Sequence, residues 1–341
     1  MSDGNAPAPT RPRWFDWRIL PIAAVTAAFI WVLIRNLAGT DVVLEALQHA
    51  RWELGLVAVA LLLLCQLIAA HRWMLIVDVL GYHLPLGRAI DAMLATWPMA
   101  LLAPARASDL LRGLAIADIC PPMVGAGSVL AEKAIDVQSL CVLAIVGSLV
   151  WGVPVVALLA LGLLACEWVF VWFLVYRRDR IAALPLLRRK PEKVEQLLVA
   201  FSALLARPGR LVVVALTSLA SWICATALLQ CLIWMMHAEV EVVATLSLWP
   251  GAVFAGMMPV TLAGMGTRDL AFIYLLRAAG DNSFQEGALL AATLGYSLVG
   301  TWLLAIVGIP FAVRFVLRLR RPASPKLDPP SPRAAEHEGR S

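Results

Sequence analysis

Charge is scarce in this sequence: only 15% of its 341 residues are Asp, Glu, Lys or Arg, against 61% hydrophobic residues and a mean hydropathy of +0.81. Soluble domains carry about a quarter charged residues, so an ordinary water-soluble fold is excluded. The six cysteines (Cys65, Cys120, Cys141, Cys166, Cys224 and Cys231) form no CxxC pair and no Cys/His spacing suited to zinc. Most lie in apolar runs, where cysteine acts as a small hydrophobe. Five histidines are scattered along the chain without an HExxH, and neither GxSxG nor a P-loop occurs. Zincin, α/β-hydrolase and P-loop chemistry are therefore excluded. Neither a metal, a cofactor nor a nucleic-acid partner is expected.

What is present is a succession of apolar runs long enough for membrane spans, each needing roughly 20 residues. The first is Ile19–Leu37, with no clean A-x-A site after it and so read as a retained helix rather than a signal. A short amphipathic piece, Asp41–Arg51, leads to Trp52–Val77, whose end carries His71-Arg72-Trp73. Met123–Val150, Pro154–Tyr176, Leu211–Met236 and Phe284–Leu317 complete the set. Between them lie two interrupted stretches. Thr96–Arg112 (TWPMALLAPARASDLLR) breaks at Pro98 and Pro104 and then places Arg106, Asp109 and Arg112 in apolar surroundings. Leu248–Leu270 (LWPGAVFAGMMPVTLAGMGTRDL) repeats the plan with Pro250, Pro259, Arg268 and Asp269. Paired interruptions at matching places in two halves are the sequence mark of a transporter binding site.

If each interrupted stretch is a hairpin that re-emerges on its own side, six spans remain and both termini share a face. That face receives Arg11, Arg13, Arg18, Arg72, Arg88, the basic 177–193 run and Arg314 to Arg321, whereas the opposite face has the 38–51 loop, the Trp151-Gly152 turn and the acidic 237–241 turn. The positive-inside rule makes the basic face cytoplasmic. The halves also match at an offset of about 160: Asp109 with Asp269, and Leu143–Gly147 (LAIVG) with Leu304–Gly308. Three crossings per half is odd, so the second half is inverted. The expected fold is an all-α integral membrane protein with six transmembrane helices and two re-entrant broken helical hairpins in an inverted repeat. Residues 1–18 form a polar N-terminal segment, 19–318 the membrane domain (repeats 19–150 and 154–317), and 319–341 a basic, Pro-rich tail too poor in apolar surface to fold.

PARASDLLRG (Pro104–Gly113), AEKAID (Ala131–Asp136) and PVTLAGMGTRD (Pro259–Asp269) resemble the paired signatures of the flippase-like membrane family that includes the transmembrane region of lysylphosphatidylglycerol synthetases. Arg72-Trp73 is similar to that family's second-span ending. The likeness covers roughly residues 19 to 318 and implies translocation of an anionic phospholipid, or of a polyprenyl- or hopanoid-type lipid, in the cell inner membrane, with a separate lipid-synthesis enzyme as a partner. Ala105 and Ala107 stand where the family commonly has Gly, which implies a less open turn in the first motif. The synthetases carry a soluble aminoacyl-transfer domain after the last span; here only the tail follows, so synthetase activity is not expected.

The residues support an anion site on their own chemistry. Arg106 and Arg268 offer planar forks matched to phosphate, and Gly264 and Gly266 allow close backbone approach. Ser108 is expected to cap the helix carrying Asp109 and Arg112, and Thr267 its counterpart. The acids stay open between helix stabilisation and function, and Arg106 and Asp109, three apart, between mutual neutralisation and substrate contact. Glu132, Lys133, Asp136 and the lone Glu167 are candidate coupling residues; Glu132 and Asp136 repel at four residues' spacing, so one needs a partner or a proton. Besides a flippase, which performs no covalent chemistry, two readings remain: a membrane-embedded transferase or its accessory, and a transporter of small soluble anions.

Overall fold

The computed structural model describes residues 31, 40–100, 104–177, 191–257, 261 and 264–320, and every regular element among them is helical. In order these are α1 (Thr40–Gln48), α2 (Glu53–Val79), α3 (Leu86–Ala100), a 3-10 helix (Pro104–Leu111), α4 (Arg112–Ala115), α5 (Pro122–Val150), α6 (Pro154–Tyr176), α7 (Pro191–Leu205), α8 (Pro208–Met235), α9 (Val242–Met257), α10 (Thr267–Ala278) and α11 (Glu286–Ser297). A π-helical turn (Leu298–Leu303) joins α11 to α12 (Leu304–Arg320). The expected first span, 19–37, lies outside the described residues except for Trp31, as do 1–18 and the tail beyond Arg320.

Five helical runs are long and apolar enough to cross a membrane: Glu53–Val79, Pro122–Val150, Pro154–Tyr176, Pro208–Met235 and Glu286–Arg318. This is a multi-pass membrane protein. Helix α6 shows why: Leu159 and Val169 are 70% and 66% exposed, a surface that only lipid covers at low cost. Among the described residues proline starts four α-helices (Pro122, Pro154, Pro191 and Pro208) and the 3-10 helix (Pro104). Its missing N–H is one the first turn leaves unpaired anyway, and its fixed φ suits the helix.

Helices α2 and α8 pack along each other at the centre, where the sulfurs of Cys65 and Cys224 approach to 3.1 Å. Around this pair the packing is reciprocal. Helix α3 of the first half lies on α12 of the second, and α9 of the second half lies on α5 of the first. The LAIVG match acquires a physical reason here. A Cβ on Gly147 would lie 2.2 Å from the Ser247 carbonyl oxygen, and one on Gly308 would lie 2.3 Å from that of Leu94. Each glycine ends its LAIVG segment, and each lets one backbone cross directly over the other.

Pro98 and Pro250 do not break their helices, contrary to expectation; each lies inside one, α3 and α9. The carbonyl that Pro98 leaves without its helical donor belongs to Leu94, four residues back. That oxygen is the one facing Gly308, so the lost hydrogen bond is spent on a close helix crossing. The interruptions come later, and both stretches fold back on themselves. Helix α3 is in contact with the 3-10 helix and α4, and α9 with α10. In the second stretch Gly264, at φ 75°, sits so close to Gly256 that a Cβ there would be 2.6 Å from the Gly256 oxygen.

Candidate functional site

Four elements converge on a buried ionic cluster. Arg72, from α2, donates through Nη1 to Asp136 Oδ1 (2.5 Å) and Ser218 Oγ (3.0 Å), and through Nη2 to Glu132 Oε1 (2.6 Å) and Asp136 Oδ2 (3.1 Å). Arg112, from α4, donates through Nη2 to Glu132 Oε2 (2.8 Å). Ser218, from α8, donates to Asp136 Oδ1 (2.8 Å). Arg72, Arg112 and Glu132 are each 3% exposed or less, and Asp136 is 9% exposed. Glycine makes this geometry possible: a Cβ on Gly113 would lie 2.3 Å from the Ala126 nitrogen, so α4 can press Arg112 directly onto α5. The Arg112 guanidinium also lies 5.1 Å from the centre of the Trp73 ring, and the Trp73 indole N–H donates to Ser128 Oγ at 2.9 Å.

The second stretch builds a different environment. The Arg268 guanidinium lies against an edge-on pair of rings, 4.8 Å from the centre of Trp249 and 4.9 Å from that of Tyr296, and its Nη2 donates to Ser297 Oγ (2.5 Å). Trp249 also meets the Phe272 ring edge-on, with centres 5.2 Å apart. The carboxylate nearest Arg268 is that of Asp269, with Oδ1 3.5 Å from Nε, and neither of those two atoms has a hydrogen-bond partner among the described residues. The other carboxylate oxygen of Asp269 accepts the Gly266 N–H at 2.9 Å. The chain's own acid thus occupies the helix start where an anion was expected.

At the offset of 161 that joins the two LAIVG segments, Glu132 corresponds to Thr293 and Asp136 to Ser297. The hydroxyls stand where the first half has carboxylates: Ser297 on Arg268, and Thr293 beside the Asp269 carboxyl. One half therefore neutralises its arginines with two acids, and the other surrounds its arginine with aromatic rings and hydroxyls. The π-helical turn follows Ser297 directly, a helix irregularity frequent at functional sites.

Several expectations are corrected. Ser108 is not a cap: it lies inside the 3-10 helix, α4 begins after Leu111 without a side-chain cap, and Ser108 Oγ is buried with no hydrogen-bond partner among the described residues. Asp109 and Arg112 accordingly occupy different helices. Thr267 is the first residue of α10 rather than its cap, which is Gly266 at φ 87°; the Thr267 hydroxyl instead donates to the Gly264 carbonyl at 3.2 Å. Only glycine holds that φ cheaply, so the cap position passes to it. Arg72 does not mark a span end and leaves the basic cytoplasmic set, because α2 continues to Val79 and the side chain is buried. The repulsion between Glu132 and Asp136 is relieved by Arg72 lying across both. Lys133 pairs with Asp109 at 2.9 Å. The side chain of Arg106 lies outside the described residues. Both Glu167 oxygens are buried without a hydrogen-bond partner among the described residues.

A sequence profile described as the lysylphosphatidylglycerol synthase TM region matches residues 19–308. The chain belongs to that family. Membership ties it to membrane lipids, and the matched region spans both clusters and both folded-back stretches. No curated protein matches the sequence. The residues that sequence reasoning left out of the family region's site are Arg72, Trp73, Ser218, Trp249, Thr293, Tyr296 and Ser297. The available signal was an Arg-Trp pair with apolar sequence on both sides rather than at a span end.

Proposed function

We propose that this protein translocates an anionic lipid or lipid-linked headgroup across the cytoplasmic membrane, with Arg268 holding the phosphate. The observation that carries the proposal is the contrast between the two clusters. Arg112 and Arg72 are matched by Glu132 and Asp136, whereas Arg268 has one carboxylate at 3.5 Å, already engaged with Gly266, and two aromatic rings against its guanidinium. A guanidinium stacked on rings keeps its donor edge for a bidentate phosphate contact. In this reading the two folded-back stretches are re-entrant hairpins of an inverted repeat, both termini are cytoplasmic, and the reciprocal α3–α12 and α5–α9 packing supports the rocking of one half against the other. The first cluster is an ionic strut within the first half, tied to the second through the Ser218 hydroxyl. A transferase reading is weakened because Asp109, Glu132 and Asp136, the acids available for proton transfer, are held in ion pairs.

The test is headgroup translocation in reconstituted vesicles. Arg268→Ala removes a charge-assisted contact of about 1.5–3 kcal/mol, so transport affinity, scored on the folded fraction, falls at least about tenfold. Arg268→Lys keeps the charge without the fork and recovers part of it. A folded Arg268→Ala protein with wild-type translocation refutes the assignment. Transport of a soluble phosphate by the wild type, with no lipid moved, favours a small-anion carrier instead.

A further inference from the structure

A second cationic feature lies away from both clusters, where the start of α3 meets the end of α12. Arg88, Asp91, Ala92, Ala115, Arg314 and Arg318 line a shallow recess open to the outside. Its charge is unbalanced. Arg88 is held by both oxygens of Asp118 (2.7 and 2.9 Å). Arg314 and Arg318, one turn apart on α12, form no ion pair among the described residues and share the recess with one further acid, Asp91. Arg314 rests 5.9 Å above the Phe311 ring, which orients its guanidinium without neutralising it.

The surroundings decide what kind of anion fits. The exposed side chains of α12 next to these arginines are apolar, with Val313 52% and Leu317 54% exposed. A ligand seated here meets cations at the helix end and hydrocarbon along the helix side, the profile of a phospholipid with its phosphate in the recess and its acyl chains along α12. The floor residue Ala115 belongs to α4, the helix that also carries Arg112. The recess thus borders the folded-back stretch of the first half.

We infer that the Arg88–Arg314–Arg318 recess is a headgroup-docking site for an acidic phospholipid. It rests on the reading of the protein as a handler of anionic lipid, and adds where the headgroup is held before it reaches the membrane interior.

Binding is scored without translocation, so a protein that moves no lipid still tests the recess. The full chain in mild detergent is titrated with dioleoylphosphatidylglycerol and dioleoylphosphatidylcholine, with inorganic phosphate and glycerol 1-phosphate as soluble competitors. The wild type prefers phosphatidylglycerol. R314Q/R318Q loses at least about tenfold of that affinity, since two charge-assisted contacts are gone, and D91N gains. Arg314 and Arg318 are solvent- or lipid-exposed, so the double variant keeps its thermal stability. Wild-type phosphatidylglycerol affinity in R314Q/R318Q overturns the inference. So does displacement of the lipid by inorganic phosphate at low millimolar concentration, which makes the recess a soluble-anion site.

Discussion

Glu132→Gln is the perturbation that most directly tests the ionic strut of the first half. Glu132 is 1% exposed and accepts from Arg72 at 2.6 Å and Arg112 at 2.8 Å. The amide keeps the shape but leaves two buried guanidinium groups facing a single carboxylate, Asp136. Removing one partner of a buried ion pair costs about 3–5 kcal/mol. At about 1.4 kcal/mol per decade this is a loss of two to more than three decades in the folding equilibrium. Adding Arg112→Gln restores the charge balance, leaving the Arg72–Asp136 pair intact, and should recover at least half the loss. Thermal unfolding and denaturant titration in a fixed detergent measure the cycle. The ionic-strut reasoning is refuted by wild-type stability of Glu132→Gln, or by losses that simply add in the double variant. Stable protein with altered pH dependence of transport would assign Glu132 to coupling instead.

Three further outcomes are expected. Gly147→Ala and Gly308→Ala should each destabilise by about 1–3 kcal/mol through overpacking, whereas Gly162→Ala, with nothing within 4 Å of its Cβ position, should not; thermal unfolding separates them. Mild oxidation of the membrane-embedded chain with a copper–phenanthroline reagent should cross-link Cys65 to Cys224, whose sulfurs are 3.1 Å apart, joining the fragments produced by a cut between α5 and α6; separate fragments on a non-reducing gel would contradict the α2–α8 pairing. Cysteine labelling in intact cells should reach positions in Thr40–Gln48 and 237–241 from outside and 191–210 only after permeabilisation. Full crossings by 105–121 and 260–282 would end the re-entrant hairpin reading.

What was legible in the sequence follows from forces that act within one span or one turn. Hydropathy over about 20 residues placed α2, α5, α6, α8 and the α11–α12 run, with Pro154–Tyr176 matching to the residue. The paired glycines marked the open turn at Gly264–Gly266, where both have positive φ. The LAIVG match was visible too, but its reason was not, because a glycine at a helix crossing looks like any other glycine until the partner backbone is known.

Tertiary structure alone decided which charge meets which. Arg72 and Glu132 are 60 residues apart in the chain, and Arg72 and Ser218 are 146 apart. Such pairs depend on the rotation of three helices about their axes, to which hydropathy is nearly blind. The same holds for Thr267, displaced from the cap by a glycine's backbone angle, and for Ser108, which lies in a 3-10 turn without a partner among the described residues. The sequence by itself determined a lipid-embedded helical chain with two folded-back, arginine-bearing stretches, since lipid solubility and chain breaks are local properties. That Arg112 is neutralised while Arg268 sits among rings and hydroxyls was settled only when packing brought α5 to one and α11 to the other.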